Sequence, residues 1–132
     1  MRRSFAAAIA GLLLACDQPE PPAGGAALFT THCAPCHGSS GLGDCAYAAE
    51  IGVQPADLTR IAERAGGKFD EGAVFAVIDG RRAVAAHGPR EMPVWGDVFA
   101  TELEASDTPR PHSTALERSR LLVDYLRTLQ VK

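Results

Sequence analysis

Cys33, Cys36 and His37 spell C-x-x-C-H, the spacing at which a chain attaches c-type haem. Two thiols one turn apart can each add to a vinyl group on one edge of the macrocycle. The histidine that follows directly can then ligate the iron from the proximal side. The same residues have two other readings. A C-x-x-C pair is also a redox disulfide of the thioredoxin kind, but that reading wants a βαβ setting, and this chain does not alternate strand with helix. It is also half of a zinc site, but zinc wants a second ligand pair, and the chain has no second C-x-x-C and no H-x-x-x-H. His37 next to Cys36 is what haem needs and neither rival requires. The favoured cofactor is therefore one haem c, bound covalently through Cys33 and Cys36.

A haem iron that only passes electrons needs a sixth ligand that does not leave. A thioether does this and raises the potential, because it stabilises ferrous iron. Met92 is the only methionine besides Met1. It stands in the Gly/Pro-containing run from His87 to Gly96, directly before Pro93, whose fixed φ can hold the sulfur in place. The plain alternative is a methionine that fills core space. His87 is the rival ligand and would lower the potential; a propionate hydrogen bond or surface exposure suits it better. The ring N–H of Trp95 can bond a propionate or lie in the core. His32 lies on the wrong side of Cys33 to ligate and reads as a surface residue. Cys45, outside the motif, reads as a buried, inert thiol rather than a reactive one.

These groups need a scaffold, and 132 residues allow one domain of ordinary size. One Trp, two Tyr and five Phe would make a modest core on their own, a deficit that a haem would partly fill. The first fifteen residues read as a targeting segment. Arg2 and Arg3 precede an apolar run from Phe5 to Ala15 that is too short to span a membrane. Leu13-Leu14-Ala15-Cys16 resembles the lipobox of bacterial lipoproteins, in which Cys16 becomes the lipidated N-terminus; ordinary signal cleavage is the alternative. Asp17 after it resembles the signal that retains some lipoproteins in the inner membrane. Removing the segment takes two of the 13 basic side chains, against 16 acidic ones, and moves the net charge from −3 to about −5. That balance argues against a nucleic-acid partner.

Asp17 to Gly25 is rich in Pro and Gly and reads as a short tether, with residues 16–23 linking anchor to domain and the domain itself at 24–132. Gly25, Leu28, Phe29 and His32 fall at helical spacing, which predicts a helix entering the C-x-x-C-H turn. Gly38 to Gly43 reads as a loop. Asp70 can cap a helix from Glu71 to Asp79 with Val74, Val77 and Ile78 on its apolar face, ended by Gly80. Arg81 and Arg82 beyond it suit the helix dipole and read as a solvated pair, with a propionate contact as the sharper alternative. Glu102 to His112, acidic and Pro-containing, reads as a loop with His112 exposed. Thr114 to Glu117 has a capping-box pattern opening the last helix, in which Leu122, Tyr125, Leu126 and Leu129 form one stripe. The fold class is all-α, with at least three helices.

On these residues the chain resembles the class I cytochrome c family from about Gly24 to its C-terminus. The resemblance implies that Gly25 and Phe29 of the first helix meet Leu122 and Tyr125 of the last. It implies that Met92 is the distal ligand, that Pro55 offers its carbonyl to the proximal imidazole, and that Leu58 touches the ring. Such a hydrogen bond would fix the His37 tautomer and increase its donation to iron. The function implied is single-electron transfer between redox protein partners, at the periplasmic face of a bacterial cytoplasmic membrane or, without the anchor, in the periplasm. No general base, nucleophile or open metal position stands out, so the expectation is an electron carrier and not an enzyme. Two other classes stay open: a haem-based gas or redox sensor with a labile sixth ligand, and a zinc or dithiol module without haem.

Overall fold

The structure, a computed structural model, describes residues 23–45, 50, 52, 54–80 and 92–131. The expectations for the targeting segment, Cys16, the tether as far as Pro22, Arg81, Arg82 and His87 lie outside the described residues. Among those described, every regular element is helical.

The chain enters through α1 (Ala23–Leu28), passes without a break into a π-helical turn (Phe29–Cys33), and continues as α2 (Ala34–His37). Ala23, read as the last residue of the tether, opens this helix, and Gly24 and Gly25 lie within it, as the helical spacing from Gly25 predicts. Their small size serves packing. A Cβ on Gly25 would run into the carbonyl oxygen of Leu121 and lie 2.9 Å from Tyr125 Cβ. The last helix, α6 (Pro111–Thr128), thus crosses α1 at backbone contact. Beside that crossing the Phe29 and Tyr125 rings pack with centroids 5.2 Å apart, and Leu122 is fully buried. The four positions expected to form the helix crossing do so.

α6 begins earlier than the capping-box pattern predicts. Pro111 occupies its first position, and its fixed φ is already helical, so the residue before it, Arg110, makes the turn in a left-handed conformation. Thr114 is then one turn inside the helix, its hydroxyl donating to the Arg110 carbonyl at 3.2 Å. The loop expected over 102–112 is shorter than its composition suggested. Residues 102–105 belong to α5 (Trp95–Ala105), whose Phe99, Ala100 and Leu103 are buried against α6 while its acidic residues face water. His112 is exposed, as expected, and lies 3.6 Å from Glu104.

Two smaller elements complete the fold. A 3₁₀ turn (Leu58–Arg60) runs into α3 (Ile61–Arg64), and α4 (Glu71–Ile78) packs on α6. Asp70 caps α4 by accepting from the Ala73 N–H at 2.9 Å, and Val74 and Ile78 are buried. The core joins all of these around Phe29, Phe99 and Leu122. No helix among the described residues is long and apolar enough to cross a membrane.

Candidate haem site

The C-x-x-C-H residues sit where α1 runs through its π-helical turn into α2. In that turn the Ala34 N–H reaches back five residues to the Phe29 carbonyl. One wide turn of this kind adds a residue to the helix and changes which side chains share a face. Phe29 and His37 are buried while Cys33 and Cys36 are half-buried.

His37 is oriented from the loop that follows it. Its Nδ1 donates to the carbonyl oxygen of Ala56 at 3.0 Å. A carbonyl only accepts, so the proton sits on Nδ1 and the lone pair on Nε2, the tautomer that can donate to iron. The expected acceptor was the Pro55 carbonyl, and this is corrected by one residue. The Pro55 oxygen instead faces Gly43, where a Cβ would run into it. Gly43 is held there by its own N–H, which donates to the His37 carbonyl at 2.8 Å. The Gly38–Gly43 loop thus brings 55–56 under the imidazole, and glycine at 43 allows the approach. Leu58 is half-buried, packs against the core and donates its N–H to the Gly41 carbonyl at 2.7 Å.

The segment carrying Ala56 is clamped from the far end of the chain. Gln130 Nε2 donates to the carbonyls of Leu58 and Leu126, both at 2.8 Å, and its Oε1 accepts from the Ala62 N–H at 2.9 Å. The Val131 N–H adds a bond to the Thr59 carbonyl at 3.0 Å. Asp57 caps the 3₁₀ turn, its Oδ1 accepting from the Thr59 N–H at 2.8 Å and the Thr59 hydroxyl at 2.6 Å. The hydroxyl bond is the main reason its carboxyl titrates below the ordinary value. Sequence reasoning missed Gln130, because a polar residue after the last apolar stripe carries no periodic signal.

Burial, aided by the nearby Cys36, pushes the Cys33 thiol up to about 12. A redox nucleophile is usually a low-pKa thiol, so this environment does not suit the dithiol reading. A bound zinc would itself deprotonate the thiol, so the zinc reading is decided by the ligand set. Among the described residues no group of three or more His, Cys, Asp or Glu is placed to hold a bare metal ion. The residues present therefore fit a haem attached at Cys33 and Cys36, with His37 as the iron ligand. Cys45, expected to be buried, is a half-buried thiol.

Met92 is half-buried at the end of the segment that leads into α5. That segment is pinned at its base. Gly80, after α4, has φ of +86°, and a Cβ there would run into the side chain of Val94. A Cβ on Gly96 would lie 2.6 Å from Asp79 Oδ1, so this carboxylate overlies the first turn of α5. Trp95 is partly buried, packed on the core. His32 is not the surface residue expected: its ring packs edge-on against Trp95 and Phe99.

An all-α fold, a buried imidazole behind a C-x-x-C turn and a glycine-mediated crossing of first and last helices define a class I c-type cytochrome domain. Residues 20–106, more than half of the chain, match the family model described as cytochrome c oxidase, cbb3-type, subunit III, and the chain belongs to that family. No curated protein and no solved structure gives a significant match. Membership implies haem c as cofactor and an electron-carrying role.

Proposed function

We propose that the protein is a mono-haem electron carrier with the haem bound covalently at Cys33 and Cys36 and the iron ligated by His37 and Met92. The observation that carries this reading is the His37–Ala56 hydrogen bond directly behind the C-x-x-C turn. When bound, haem c supplies a reversible ferric/ferrous couple. The chain's own residues do the rest. Cys33 and Cys36 hold the group to α2 and its preceding turn. His37 keeps its proton on Nδ1 through Ala56, which leaves Nε2 as the basic donor that would ligate the iron. Met92 offers a neutral sulfur two residues before Val94, whose side chain packs against Gly80. Leu58 and Trp95 are assigned to the apolar wall, and Pro55 supports it by its contact with Gly43.

In this reading the domain is exported and held to the periplasmic face of the cytoplasmic membrane by a lipid on Cys16, through the tether that precedes Ala23. Tethering raises its effective concentration near membrane partners. The family's name points to a terminal oxidase assembly as the setting for donor and acceptor. The test is a denaturing gel stained for haem, paired with a redox titration of the matured protein. Haem that stays with the chain after denaturation, in a one-electron reversible couple, is expected. Haem that is lost on denaturation, or a protein loaded with zinc, would contradict it.

A further inference from the structure

We propose that His32 is a positioning residue that holds the Met92 stem in register with the haem-attachment turn. The inference rests on the His37/Met92 ligation proposed above. His32 immediately precedes Cys33, one of the two attachment cysteines. Its imidazole centroid lies 5.2 Å from the Trp95 ring at an interplanar angle of 63°, and 5.1 Å from the Phe99 ring at 74°. Trp95 and Phe99 themselves pack 5.7 Å apart. Both contacts are edge-to-face, the arrangement that sets a ring's positive edge against a partner's negative face.

The two rings that hold His32 are themselves fixed. Phe99 is fully buried, and the Arg118 guanidinium covers it at 5.7 Å while pairing with Glu102 at 3.2 Å. Trp95 opens α5, three residues after Met92, and the turn it stands in is backed by Asp79 and Gly80 through Gly96 and Val94. In the ligation proposed above, the chain neighbour of His32, Cys33, would carry a thioether bond, and its neighbour in space, Trp95, stands three residues after the sixth ligand Met92. Edge-on contact with two rings at one position uses the flat imidazole, and an aliphatic side chain there would keep volume but lose both ring contacts.

The test uses the full-length, haem-matured protein with His32→Ala, His32→Leu and His32→Phe. Three quantities are read: haem per chain, intensity of the methionine-to-ferric-iron charge-transfer band, and carbon monoxide uptake by the ferrous protein. The Ala and Leu variants are expected to attach haem normally, to lose much of the band, and to bind carbon monoxide about ten-fold more readily. The Phe variant is expected to keep wild-type values, because it restores the ring. If the Ala variant does not accumulate, the comparison of Leu with Phe decides. A Leu variant with wild-type band and wild-type resistance to carbon monoxide overturns the proposal while leaving the ligand assignment standing. A wild type that itself lacks the band overturns the assignment and the proposal together.

Discussion

His37 Nδ1 donates to the carbonyl of Ala56, nineteen residues further along, at 3.0 Å. The bond makes the imidazole a stronger donor, which favours ferric iron and lowers the potential. Gly43→Ala would push the Pro55 carbonyl, and Ala56 with it, away from the ring. The midpoint potential of this variant is expected to rise, by on the order of 60 mV if the bond is worth a tenfold preference for ferric iron. Potentiometry on the matured protein checks it.

Gln130 holds the same segment through two hydrogen bonds, to Leu58 and Ala62, and is itself anchored on the Leu126 carbonyl. Gln130→Leu leaves the Ala62 N–H and the Leu58 carbonyl without that partner and should cost about 1–3 kcal/mol. Denaturant unfolding measures the loss. Amide exchange should accelerate at Ala62 and Val131 and stay unchanged in the centre of α6.

Two helical glycines should respond in opposite directions. Gly25→Ala forces α1 away from the Leu121 carbonyl and Tyr125, and is expected to destabilise by about 1–3 kcal/mol. At Gly72, exposed in α4, a Cβ meets only Asp70 Oδ1 at 3.5 Å, so Gly72→Ala should stabilise by about 0.5–1 kcal/mol. Thermal melts of the two variants beside wild type decide the sign of each.

Asp57 gives the fold an acid-sensitive cap. Its carboxyl titrates below the ordinary 3.8, chiefly because the Thr59 hydroxyl donates to it. A depressed folded value means that the contribution is fully present above the unfolded value and is lost as pH falls through the folded one. Stability should therefore drop with acidification below about pH 4. The drop should be shallower in Thr59→Val, which removes the largest cause. Urea titrations at a series of pH values would show it.

Legibility followed the physics of each signal. The helical spacing of Gly25, Phe29, Leu122 and Tyr125 was readable in one dimension, but that the two helices cross at these residues came from the family resemblance, because no local pattern pairs distant helices. The helix capped by Asp70 was readable directly, since cap, apolar face and terminal glycine all agreed. α5 was partly hidden: Glu102 and Glu104 gave its second half a loop-like composition, although Trp95, Phe99 and Leu103 lie on its inner face. The start of α6 was misplaced because Pro111, a helix opener, was counted as a breaker. Ala56 was missed in favour of Pro55 because the identity of a carbonyl acceptor depends on backbone direction, which side-chain types do not encode. His32 was at the right spacing to face inward, but its partners Trp95 and Phe99 are distant in sequence and no local pattern joins them.

The central claim is a stable His37/Met92 pair on covalently bound haem, and ferric and ferrous optical spectra of the matured protein beside Met92→Ala test it most directly. The account predicts a methionine-to-ferric-iron band in the wild type and only weak carbon monoxide binding. In the variant the band is lost, the ferrous iron binds carbon monoxide and the potential falls. A wild type without that band that readily takes up carbon monoxide would contradict the account and make the site one for small-molecule binding.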